Sequence, residues 1–188
     1  MNQNKYKGFS LIELLITVAV LGILVSLAAP SMFETLENRK LKGAAEKAFA
    51  DFQFVKTEAI KRNQLVRLDF TGFGSGNDWC YGFKVNADCD CTETDSSQAD
   101  FCEIDAVKQV VNQDDYDGAV SLSNTTVPFA GAVSFNPMRG TVVYPSTPPD
   151  DFLQFEIANG RQIKIIVSTL GRIRICSDSS VGGYRSCP

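Results

Sequence analysis

The 188-residue chain contains no histidine. This absence excludes Ser-His-Asp and Cys-His catalysis, histidine general bases and histidine-ligated metals, so we expect neither an enzyme nor a cofactor. The chain also lacks an excess of positive charge, since 18 basic residues stand against 22 acidic residues for a net charge of −4. A uniformly basic, nucleic-acid-binding surface is therefore excluded.

Cysteine is absent from the first 79 residues, and all six cysteines follow. Six cysteines in one small domain are typical of an oxidising compartment such as the periplasm or the cell surface. Their spacing lacks a C-x2-C repeat, so we expect disulfides and no zinc. Cys176 and Cys187 are expected to pair because the other four cysteines cluster within residues 80–102. Three connectivities stay open for that cluster, and a direct Cys89–Cys91 bridge is the least favoured because it is strained.

Charge is nearly absent from residues 9–29, where Glu13 is the single charged residue of 21. At 1.5 Å per residue, a helix of this length spans the roughly 30 Å hydrocarbon core of a bilayer. An ordinary cleaved secretory signal fits this run poorly, so we expect it to remain in the mature chain. A carboxylate inside such a helix costs roughly 2.5 to 3.5 kcal/mol on insertion scales, so Glu13 is expected to have a partner.

The sequence KYKGFSLIEL, which begins at Lys5, resembles the class III signal of type IV pilins and pseudopilins. The resemblance implies that residues 1–8 are a leader, which a prepilin peptidase removes between Gly8 and Phe9 before methylating the Phe9 amine. It also implies that Glu13 pairs with the N-terminal amine of a neighbouring subunit in a filament. The expected location is the inner membrane, crossed once with the head in the periplasm, and then the pilus or cell surface.

Residues 30–63 are predicted to continue as an amphipathic helix. Apolar residues recur there at three- and four-residue spacing, which indicates one buried stripe. The stripe comprises Phe33, Leu36, Leu41, Ala44, Ala45, Ala48, Phe52, Val55 and Ala59. Residues 64–188 are β-rich and complete the head, and their clearest hairpin joins residues 153–158 and 161–168 through Asn159-Gly160, a dipeptide that accepts two positive φ angles. A turn at Leu170-Gly171 and a last strand over residues 172–176 are expected to follow.

An acidic insertion covers residues 86–117, with ten acidic residues and one base, Lys108. This composition predicts a solvated loop held by disulfides. A calcium site, as in a calcium-dependent adhesin, is a further hypothesis, although the EF-hand pattern is missing. Its candidate ligands are Asp88, Asp90, Glu93 and Asp95.

The segments TEAIKRNQLVRLDF, F-N-P-x-x-G and I-I-V-S-x-x-G-R-I-R-I resemble the GspH/FimT family of minor pilins and pseudopilins. The resemblance implies an α+β type IV pilin fold, in which a long N-terminal helix packs on antiparallel β-sheet. Gly171-Arg172-Ile173-Arg174, with Cys176 and a cysteine near the C-terminus, is similar to the tail of FimT-type minor pilins, which bind DNA for natural transformation.

The charge of the tail, residues 161–188, supports a DNA partner independently of the resemblance. This tail carries a net charge of +4, whereas the chain without its leader carries −6. Side chains alternate along a strand, so Arg172 and Arg174 are expected on one face, with Lys164 and Arg185 assisting. Arginines contact phosphates without regard to sequence, and Tyr184 could stack on an unpaired base.

The sequence is therefore compatible with two functions. The first is a minor pilin that binds extracellular DNA and promotes its uptake. The second is a structural minor pilin of a pilus initiation complex, or a GspH-like pseudopilin of type II secretion, that does not bind DNA. In this alternative the basic edge deters aggregation between strands.

Overall fold

A computed structural model describes residues 9–72, 78–123, 132–143, 151–178 and 181–188. The leader with Gly8 lies outside the described residues. The chain divides into two compact units, Met1–Leu36 and Glu37–Pro188. One helix, α1 (Leu11–Arg62), supplies residues to both units.

The first unit contains the apolar half of α1. Its side chains from residue 9 to residue 27 are exposed, Glu13 included. The helix contains a window with a mean hydropathy of 2.6, so it is long and apolar enough to cross a membrane. Phe33 and Leu36 also belong to this unit and are exposed. The predicted buried stripe therefore begins later than expected, at Leu41, because burial requires the sheets of the second unit.

The second unit contains the remainder of α1 and all the strands. Seven positions of the predicted stripe, from Leu41 to Ala59, are fully buried at three- and four-residue spacing. The strands are β1 (Val66–Thr71), β2 (Cys80–Val85), β3 (Glu103–Ile104), β4 (Val107–Lys108), β5 (Val110–Asn112), β6 (Val120–Ser123), β7 (Ala132–Phe135), β8 (Val142–Val143), β9 (Asp151–Ile157), β10 (Gln162–Val167) and β11 (Ile173–Cys176). A short 3₁₀ helix, Gln113–Tyr116, follows β5.

The strands form two main antiparallel sheets and a two-stranded ribbon of β3 and β4. The first sheet has the order β5-β2-β1-β7-β8, and the second has the order β11-β10-β9-β6. Both sheets contribute to one apolar core with α1, in which Trp79, the residue before β2, packs edge-on against Phe155 of β9. The Trp79 indole donates to the carbonyl of Val120 over 2.7 Å, which satisfies its buried N–H.

The predicted hairpin at Asn159-Gly160 is present and joins β9 to β10. Its turn differs from the expected type, because Gly160 has a φ of 79° while Asn159 is not among the residues with positive φ. The Asn159 side chain instead accepts a hydrogen bond from the backbone N–H of Arg161, over 3.1 Å. One left-handed residue is therefore sufficient to reverse this chain.

The acidic insertion is more ordered than its composition predicts. It contains β3, β4 and β5, and β5 extends the first sheet beside β2. The valines of the insertion, above all the buried Val111, explain this difference, since they can be covered by a sheet edge. Disulfides join Cys80 to Cys91 and Cys89 to Cys102.

Candidate nucleic-acid interface

The turn between β10 and β11 contains Gly171, which packs against Gly140 of a neighbouring turn. Gly171 has a φ of 74°, and its N–H donates to the carbonyl of Ser168 over 2.7 Å. A Cβ on Gly171 would lie 1.8 Å from the carbonyl oxygen of Gly140, which ends the N-P-x-x-G turn. Lys56 of α1 donates to the Gly171 carbonyl over 2.8 Å. Packing therefore explains the glycine that opens the G-R-I-R motif.

The two arginines of this motif point outward. Ile173 between them is buried, while Arg172 and Arg174 are exposed. Arg174 is paired in register with Ile166 of β10, and β11 is the last strand of its sheet. Alternation along the edge strand thus places both guanidinium groups on one face, as the sequence predicts.

The C-terminal segment returns alongside this edge strand. Cys187 is joined to Cys176 by the predicted disulfide. The backbone N–H of Ser177 donates to the carbonyl of Arg185 over 2.9 Å. These two links place residues 185–188 beside β11 and leave a groove between them.

The groove has a volume of about 280 Å³. Three arginines line it, together with apolar and small residues, and no carboxylate side chain does. Its lining is Ile166, Arg172, Arg174, Ile175, Cys176, Arg185, Ser186, Cys187 and Pro188. Within the described ranges, none of the three arginines forms a salt bridge. Three guanidinium groups with no carboxylate side chain among them make this groove the candidate site for an anion.

Lys164 does not join the arginines. Its ammonium forms an ion pair with Asp178 at 2.5 Å, its side chain is only 18% exposed, and it is not among the residues that line the groove. The contribution of Lys164 to DNA binding stays a prediction, and in this structure its ammonium is paired with Asp178. Lys164 is in register with Cys176 of β11, so Asp178, two residues further along the chain, lies within reach of the Lys164 ammonium.

Tyr184 contacts helix α1 and does not line the groove. Its hydroxyl donates to Glu46 of α1 over 2.5 Å, and the Lys42 ammonium lies 5.8 Å from the centre of its ring. Burial, followed by the hydrogen bond to Glu46, raises the pKa of Tyr184. Lys42 further donates to the carbonyl of Gly182 over 2.6 Å. Stacking of Tyr184 on a base stays a prediction, and the contacts of Tyr184 in this structure fasten the C-terminal segment to the helix.

Arg139 is a cation that the sequence patterns did not single out. It is exposed and precedes Gly140, the glycine in contact with Gly171. The sequence signal for Arg139 is its place inside N-P-x-x-G. The turn with this motif packs against the turn that opens G-R-I-R.

The acidic insertion offers no comparable site. Among the described residues, no group of three acidic or cysteine side chains is placed to hold a metal ion. Asp90 accepts hydrogen bonds from the hydroxyl and the backbone N–H of Thr92, and these bonds lower its pKa. Asp95 accepts the corresponding bonds from Ser97. These two carboxylates stabilise turns, which accounts for them without calcium.

Comparison with known proteins gives two family matches. A family described as type II transport protein GspH matches residues 44–171, and the prokaryotic N-terminal methylation motif matches residues 3–29. No protein of curated function matches the chain significantly.

Two solved structures are similar to the chain. The type IV minor pilin FimU of Pseudomonas aeruginosa is 18% identical, over 72% of this chain and 91% of that one, with a TM-score of 0.43. The minor pseudopilin EpsH from the type 2 secretion system of Vibrio cholerae is 11% identical, over 73% of this chain and 97% of that one, with a TM-score of 0.46.

The GspH match covers more than half of the chain and the methylation motif covers its apolar N-terminus, and one long helix packs on antiparallel sheets. The chain therefore belongs to the GspH family and is a minor pilin or pseudopilin with the α+β type IV pilin fold.

Proposed function

We propose that this minor pilin binds extracellular DNA without sequence preference and promotes DNA uptake in natural transformation. The observation that carries the proposal is the groove, where Arg172, Arg174 and Arg185 converge on a protein of net negative charge. Cations concentrated at one place on an anionic protein provide a local site for a polyanion, while the remaining surface repels it.

The strength expected of this site is modest. Each phosphate contact releases condensed counterions, so affinity depends on the number of cations and falls with salt. Three arginines are fewer than the 6 to 10 contacts typical of strong binders, so we expect a Kd of about 10⁻⁴ to 10⁻⁶ M, as for non-specific binding. Weak binding that does not depend on base sequence suits the capture of arbitrary DNA.

Delivery of the groove to the cell exterior is part of the same proposal. A prepilin peptidase would cut between Gly8 and Phe9 and methylate the new amine. Glu13 would then pair with the amine of a neighbouring pilin, because a buried carboxylate and a buried ammonium each become tolerable when they meet. The helix would hold the protein in the inner membrane until it enters the filament, with the head in the periplasm.

The proposal is tested with the full chain in a micelle of non-ionic detergent. Fluorescence anisotropy of labelled DNA at low salt is expected to rise with the native protein and to stay low with Arg172→Gln/Arg174→Gln. Both substituted side chains are exposed, so the fold should survive, which circular dichroism can verify. DNA uptake by cells that carry the double variant, with pilus assembly measured separately, then tests the biological role.

A structural role without DNA is the second candidate, favoured by the match to a type II transport family. In that case the three arginines would contact an acidic face of a neighbouring pilin. Unchanged anisotropy with the native protein at low salt, combined with defective filament assembly in the double variant, would favour this candidate.

A further inference from the structure

We propose that the arginine groove accepts a single DNA strand in preference to a duplex. This inference rests on the proposed function, and it concerns the form of nucleic acid that the same site selects. It is drawn from the shape of the groove and from the chemistry of its floor.

The shape is a slot with two walls. Arg172 and Arg174 stand on the β11 wall, and Arg185 stands on the wall formed by the returning C-terminal segment. The Cys176–Cys187 disulfide and the hydrogen bond from Ser177 to Arg185 hold the walls together. An extended strand can lie in such a slot with cations on either side of it. A duplex is too wide to enter the slot, so its phosphates would meet the three guanidinium groups only at the rim.

The floor of the groove is partly apolar. Ile166, in register with Arg174, is half-buried and lines the groove, as do the disulfide-bonded Cys176 and Cys187 and Pro188. A duplex presents only phosphates and sugars at its backbone, so apolar lining adds little to its binding. A single strand exposes the faces of its bases, which gain free energy by covering apolar surface.

The volume of the groove fits one nucleotide of a single DNA strand. At about 280 Å³, the groove is close to the lower limit of the roughly 300 to 1,000 Å³ typical of sites for small organic ligands. A nucleotide is a ligand of that class, with one phosphate for the guanidinium groups and a sugar and base for the apolar floor.

The experiment compares labelled 20-nucleotide oligothymidine with a labelled 20-base-pair duplex. Both are titrated with the full chain in non-ionic micelles at low salt. We expect the single strand to bind about tenfold more tightly, the equivalent of one base contact of about 1.4 kcal/mol, although the duplex carries more phosphates. Ile166→Ser should weaken binding of the strand several-fold and leave duplex binding unchanged. Val143→Ser is the matched control, because Val143, like Ile166, is a β-branched strand residue with an accessible side chain, but it does not line the groove.

Each other outcome overturns the inference in a distinct way. Equal or tighter binding of the duplex, abolished by Arg172→Gln/Arg174→Gln, rejects the strand preference and leaves the proposed function standing. Equal competition by poly-glutamate of the same charge would assign the groove to an acidic peptide. Failure of both oligonucleotides to bind rejects the inference and the proposed function together.

Discussion

Gly171 packs against Gly140 so closely that a Cβ atom on Gly171 would lie 1.8 Å from the Gly140 carbonyl oxygen. This contact joins the turn of the second sheet to the turn that precedes β8. It separates two roles within one short motif, since the glycine is required by packing while Arg172 and Arg174 are directed to solvent. A G-R-x-R pattern therefore indicates a ligand site only through its arginines.

Gly171→Ala is expected to destabilise the head by about 3 kcal/mol, because it adds a backbone clash to a positive φ. Gly160→Ala is the matched control. Gly160 has a similar φ of 79° but nothing within 4 Å of its would-be Cβ, so we expect a loss of about 1 kcal/mol. Urea unfolding, followed by the fluorescence of the single, buried Trp79, measures both. Equal losses of unfolding free energy in the two variants would show that the contact with Gly140 does not contribute to stability.

Tyr184→Phe is expected to weaken DNA binding although Tyr184 faces the helix. Without the hydrogen bond to Glu46, the segment that carries Arg185 loses one of its links to α1. The dependence of log K on log salt should become less steep, by up to about 0.9 for a duplex, as one phosphate contact is lost. Tyr116→Phe, which removes a hydroxyl from the 3₁₀ helix, serves as the control. An unchanged slope with Tyr184→Phe would mean that Arg185 is positioned by other contacts.

Cys176→Ser/Cys187→Ser is expected to reduce affinity for DNA and to lower stability by about 2 to 3 kcal/mol, as for loops of similar length. The reason is that this disulfide closes the groove beside Arg185. A double-mutant cycle isolates the effect, since removal of the disulfide should cost little affinity once Arg185→Gln is present. Additive losses would contradict the assigned role of the disulfide in placing Arg185.

Acid is expected to weaken the link between α1 and the β3–β4 ribbon. Arg62 donates to Glu58 over 2.7 Å and also to Asp105, and these hydrogen bonds lower the pKa of both carboxyl groups. Their folded pKa values lie below the unfolded ones, so their contribution to stability is complete above about pH 5 and is lost as pH falls through the lowered values. Arg62→Gln should flatten the stability profile between about pH 5 and pH 2. An identical acid profile in the variant would contradict this.

Local patterns were sufficient for the features that depend on local periodicity. The apolar helix, the buried stripe from Leu41 onward, the Asn159-Gly160 hairpin and the outward pair Arg172 and Arg174 all follow from side-chain spacing. Composition misjudged the acidic insertion, because three short strands there depend on pairing within the fold. The partners of Lys164 and Tyr184 were also missed. Glu46 is 138 residues from Tyr184, and no periodicity encodes a contact of that range.

The salt dependence of DNA affinity tests the central proposal most directly. For the native full chain we expect log K for a duplex to fall with log salt at a slope of about −2.7, as for three phosphate contacts. Arg172→Gln/Arg174→Gln should reduce the slope to about −0.9. The control Arg39→Gln/Lys108→Gln removes two exposed cations outside the groove and should keep the native slope. Equal slopes for the two double variants would contradict a DNA site in the arginine groove.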